Sequence, residues 1–146
     1  MSLRRLRIGE LLALAGSACI VASLLVPWYE SAIGPLDAWD TFGPAVVLLL
    51  VALCAALAMV VSALTERSTA LPVASAVWCV PLGLAGVIAA VVRVLERPYH
   101  ATGLRVGAWL ALVGAVAILV GAWLSLRDER PALYEPATPT PRPRPE

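Results

Sequence analysis

The chain has 146 residues, of which 60% are hydrophobic and only 14% charged, with a formal net charge of +1 and a mean hydropathy of +0.85. That balance excludes an ordinary water-soluble domain. Every basic residue is an arginine, and none belongs to a basic patch interleaved with aromatics, so no nucleic-acid partner is expected.

The apolar residues gather in four blocks, residues 8–26, 45–64, 71–92 and 106–126. At about 1.5 Å of rise per residue, each covers a hydrocarbon layer of about 30 Å. Spanning β-strands would instead alternate apolar and polar residues in segments of about ten, and no such alternation is present. The predicted fold is all-α, an integral membrane four-helix bundle over residues 1–130, with the lipid bilayer as its surroundings.

The first block follows the basic lead Arg4-Arg5-Leu6-Arg7. Its apolar run is longer than a cleavable signal core of about 7 to 15 residues, so it reads as a retained span. Glu10, in its opening turn, is expected at headgroup depth near Arg7, as an edge residue. Gly16-Ser17-Ala18-Cys19 loosely matches an acylation box. It lacks the bulky residue three positions before the cysteine and continues into apolar Ile20-Val21-Ala22, so Cys19 is expected to be an ordinary helix residue.

The loop at 27–44 is acidic and aromatic. Trp28, Tyr29, Trp39 and Phe42 suit the headgroup region, where amphipathic rings anchor a helix bundle. The functional alternative is a candidate outer surface formed by Trp28, Tyr29, Asp37, Trp39 and Asp40, with Glu30 beside them. Residues 65–69 leave room only for a tight connection, which predicts that the second and third helices are antiparallel neighbours. The segment 93–105 carries Arg93, Arg97 and Arg105 against Glu96, so the two outer loops are expected to face each other and pair. With the amino terminus inside, Arg4, Arg5, Arg7, Arg67, Arg127, Arg130, Arg142 and Arg144 are cytoplasmic and only Arg93, Arg97 and Arg105 are outside. That bias predicts a multi-pass protein of the cell membrane with both termini in the cytoplasm.

In the third block, Pro81 with Gly83 and Gly86 predicts a bend. In the fourth, Gly103, Gly107, Ala111, Gly114, Gly121 and Ser125 form a stripe of small residues, the pattern that lets helices approach closely in lipid. Gly9, Ala13, Gly16 and Ser23 make a similar row on the first helix, its expected partner. A second copy or another membrane protein is the alternative occupant of the stripe. Trp109 and Trp123 fall on the opposite side and are expected to face lipid. Beyond Arg130, Pro131, Pro136, Pro139, Pro141, Pro143 and Pro145 predict a disordered cytoplasmic tail over 131–146, with polyproline II as its local form.

No catalytic, cofactor-binding or metal-binding residues are expected. Cys19, Cys54 and Cys79 lie in different helices without a CxxC pair, and His100 is the only histidine, so neither a metal site nor nucleophilic catalysis is predicted. Pro27-Trp28-Tyr29, Trp39-Asp40-Thr41-Phe42, Gly107-Ala108-Trp109, Gly114 and Gly121-Ala122-Trp123, ending in Arg127-Asp128-Glu129, resemble uncharacterised small four-helix membrane proteins of actinobacterial type. The resemblance covers the four spans and not the tail, and it implies no activity. The expected role is a non-catalytic structural or interaction component, with a small transporter or channel subunit as the alternative.

Overall fold

A computed structural model of the chain describes residues 8–41, 43–65, 70–97 and 101–128. Four helices form the body: α1 (Ile8–Leu24), α2 (Pro44–Thr65), α3 (Ala70–Leu95) and α4 (Val106–Asp128). Three of them contain segments long and apolar enough to cross a membrane, Pro44–Leu64, Ser75–Leu95 and Val106–Arg127, whereas α1 is equally apolar but shorter, with 17 residues. The tail predicted over 131–146 lies outside the described residues, as do Arg7, Phe42 and His100.

The helices pack around a ring in which α1 lies against α4, α4 against α3, and α3 against α2, with a looser α1–α2 seam. The α2–α3 pairing predicted from their short connection is present, and Ser62 and Ser75 join the two helices at 3.0 Å between their hydroxyls. Gly86 brings α3 to the Ala52 methyl of α2, and Gly83 brings it to the backbone of Leu119 in α4. These glycines therefore serve close packing. Pro81 is exposed within a continuous α3.

The tightest seam is α1 with α4. A Cβ on Gly16 would stand 2.6 Å from the Gly114 carbonyl, and one on Gly121 would stand 2.5 Å from the Gly9 carbonyl. The stripe of Gly107, Ala111, Gly114 and Gly121 is thus consumed inside the molecule, with Gly114 and Gly121 facing the row on α1. Gly103 is not part of it. Arg105 N donates to Trp28 O at 2.9 Å, which holds the chain extended there, and helix begins only at Val106.

α1 ends at Leu24, two residues before the expected limit. Pro27 disfavours helical backbone at the preceding residue, and the indole of Trp28 folds back to donate from Nε1 to Ser23 O at 2.7 Å. The chain then forms three short strands that were not predicted: β1 (Tyr29–Ser31), β2 (Gly34–Leu36) and β3 (Ala101–Leu104), in the order β2-β1-β3 and antiparallel throughout. Gly34 closes the β1–β2 hairpin at φ +146, a conformation that other residues rarely adopt. Pro35, which cannot donate to a ladder, sits on the edge strand. The all-α expectation describes the bundle; the sheet is a cap on one end of it.

The distribution of polarity is inverted relative to a protein in water. Among the described residues, every exposed helix position from Ile8 to Trp123 is apolar, and the first exposed charge on a helix is Arg127. Glu10, Ser17, Ser23 and Ser125 are instead buried. Ser17 and Ser23 satisfy their hydroxyls within the helix, donating to Ala13 O at 2.8 Å and to Ile20 O at 2.7 Å, which requires no water.

Candidate functional site

The cap is built on two aromatic side chains that the sequence places at a membrane belt or on an outer surface. Both are fully buried. Trp28 lies against Gly107, where any Cβ would come within 2.4 Å of the indole Cδ1 and 2.7 Å of the Pro27 carbonyl. Its backbone donates to Leu36 O at 2.8 Å, so one residue ties α1, β2 and α4 together. Pro27 O accepts from Gly107 N at 3.0 Å, satisfying one of the amides left open at the start of α4.

Tyr29 donates its hydroxyl to Arg93 O at 2.7 Å, linking β1 to the last turns of α3. The Arg93 guanidinium donates in turn to Thr41 O, holding the segment that leads into α2. Burial pushes the Tyr29 phenol above its usual pKa of 10.0, a shift partly offset by the charge of the Arg93 guanidinium and by a hydrogen bond from that side chain. The raised value means that the fold favours the protonated phenol. Its stabilising contribution is complete below pH 10 and declines as pH climbs from there through the raised pKa. Tyr29→Phe is expected to cost about 1 kcal/mol at neutral pH, through the lost bond to Arg93 O, and to remove this alkaline weakening. Unfolding measured against pH in both proteins checks it.

Asp37 and Asp40 are committed to their own turn. Asp37 Oδ1 accepts from Trp39 N at 2.8 Å and Asp40 N at 2.9 Å, while Asp40 Oδ2 accepts from Asp37 N at 3.0 Å. These carboxylates hold the loop in shape. Among its large apolar side chains, the cap presents outward Ile33, 97% exposed at the hairpin tip, and Trp39, 52% exposed. Of the five predicted surface residues, only Asp37, Trp39 and Asp40 lie together in an accessible turn, and Ile33 was missed because a lone isoleucine in a loop gives no periodic signal.

The expected pairing of the two loops is realised by strand pairing of β1 with β3 and by an ion pair of 2.8 Å between Arg105 and Glu30. Trp109 and Trp123 are exposed on the outer side of α4, as their spacing predicts.

Glu10 is not the edge residue that its place in the opening turn of α1 suggests. It is only 6% exposed. Its neighbour Gly9 meets Gly121 O and Ser125 N of α4, which runs on to Asp128, so at about 1.5 Å per residue Glu10 lies roughly a turn and a half inside the end of that helix. The position of Glu10 in its own helix suggested an edge; the register with α4 sets its depth. Cys19 is partly exposed, Cys54 exposed and Cys79 buried. Among the described residues, no three His, Cys, Asp or Glu side chains form a metal-holding group. No known family model, curated protein or solved structure matches the chain.

Proposed function

We propose that this chain is a multi-pass protein of the cell membrane, with four spans, both termini in the cytoplasm and the cap outside. The inverted polarity of the bundle carries that reading. Large apolar side chains such as Val47, Val61, Trp78, Ile88, Val113 and Trp123 are exposed around it, and such a surface is stable against hydrocarbon and not against water. The arginine bias supports the orientation.

Its role in this reading is that of a non-catalytic interaction component. The small-residue stripe is occupied by α1 and by the segment 26–28 that follows it, so the contact with a second copy or another membrane protein falls to the cap. There a stiff hairpin and an acid-stapled turn hold Ile33 and Trp39 outward at little ordering cost on binding. A photoreactive side chain at Ile33 or Trp39 in native membranes is expected to give one discrete adduct. Absence of any adduct at both positions contradicts the role.

The burial of Glu10 favours a second reading, a small transporter or channel subunit, since carriers that couple flux to protons or cations use an intramembrane acid. Solute flux in liposomes that is lost in Glu10→Gln would establish it. Under the interaction reading, Glu10→Gln leaves cap crosslinking unchanged and no flux is measured.

A further inference from the structure

A groove of about 670 Å³ opens where α1 leaves the bundle and α4 enters it, lined by Val26, Pro27, Leu104, Arg105, Val106 and Trp109. Five of these residues are apolar, and Arg105 alone supplies charge. The groove continues into the apolar outer surface of α4, where Val106 and Trp109 are exposed. Arg105 immediately precedes the start of the apolar helix, the level at which an arginine reaches a headgroup and a tryptophan sits at the hydrocarbon boundary.

Arg105 is not a lone cation. One of its terminal nitrogens donates to Glu30 Oε1 at 2.8 Å, and the two side chains are 43% and 56% exposed, so a positive and a negative group stand side by side in reach of solvent. A guanidinium has five N–H donors and a carboxylate several acceptor positions, so the mutual bond leaves capacity on both. A headgroup with both charges complements this pair: its phosphate oxygens accept from Arg105, and its ammonium donates to Glu30. A primary ammonium can make that second bond and a trimethylammonium cannot.

Resting on the membrane reading above, we propose that this groove is a site for a phospholipid of the ethanolamine class. One acyl chain lies along Val26, Val106 and Trp109, and the headgroup lies across the Arg105–Glu30 pair.

The test uses the full chain with Trp39, Trp78 and Trp123 changed to phenylalanine, in vesicles of brominated phosphatidylcholine. Subtracting the signal of the same protein carrying Trp109→Phe leaves the fluorescence of Trp109. Unbrominated phosphatidylethanolamine is expected to relieve quenching about threefold more effectively than unbrominated phosphatidylcholine, the size of an exposed charged contact. Glu30→Gln and Arg105→Gln should each abolish that preference while quenching by brominated phosphatidylcholine persists, which shows that the variants remain folded and inserted. Equal relief by the two lipids, or a preference that survives both substitutions, overturns the site and leaves the membrane reading intact. Failure of the brominated lipid to quench Trp109 at all overturns both.

Discussion

Gly114→Leu is expected to destroy the α1–α4 seam and with it the folded monomer. A Cβ at this position would lie 2.8 Å from the Gly16 carbonyl and 3.0 Å from the backbone nitrogen of Ile20, and neither can swing aside as a side chain does. Overpacking typically costs about 1–3 kcal/mol, and a leucine driven against backbone belongs at or above the upper end. Gly121→Leu should behave alike, because its Cβ would meet Gly9 O at 2.5 Å and Ala13 N at 2.7 Å. Gly103→Ala is the control: only the Glu30 Cβ lies within 4.0 Å, and the strand tolerates the change. Unfolding in mixed micelles, followed by tryptophan fluorescence, ranks the three. A Gly114→Leu protein that stays folded but loses an oligomer would mean that the stripe serves a partner.

Trp28→Ala should be comparably damaging, at about 3–5 kcal/mol for a buried tryptophan. The indole has no exposed surface and fills the space against Gly107. Trp28→Phe separates packing from hydrogen bonding. It keeps most of the ring volume but loses the bond to Ser23 O, for an expected loss of about 1–2 kcal/mol. Protease sensitivity of the cap, measured alongside global unfolding, distinguishes local release from collapse. Trp28→Ala should expose the hairpin to cleavage under conditions in which the wild-type cap resists it.

The helical frame was legible because its signals are long. Each apolar block exceeds the length of a soluble amphipathic pattern, and the repeats of small residues on α1 and α4 point at each other. Trp109 and Trp123 were placed correctly because, on one helix, sequence spacing is angular position. The cap was not legible, since its strands have three, three and four residues, too few for a period of two to show. Trp28 and Tyr29 were misread for a related reason: aromatic residues beside a span are equally the composition of a membrane belt and of a small folded core. Glu10 and Gly103 depend on register between elements distant in sequence. Contact of Gly9 with Gly121 determines one, and pairing of Glu30 with Gly103 the other.

Labelling intact cells with a membrane-impermeant maleimide decides whether the bundle spans the bilayer with its cap outside. Cys19, Cys54 and Cys79 are first replaced by alanine, and single cysteines are introduced at Ile33, 97% exposed at the hairpin tip, and at Thr138 in the tail. The protein is expected to remain in the membrane fraction after alkaline extraction, with Ile33→Cys labelled in intact cells and Thr138→Cys labelled only after lysis. Recovery in the soluble fraction, or labelling of Thr138→Cys with Ile33→Cys protected, would contradict it.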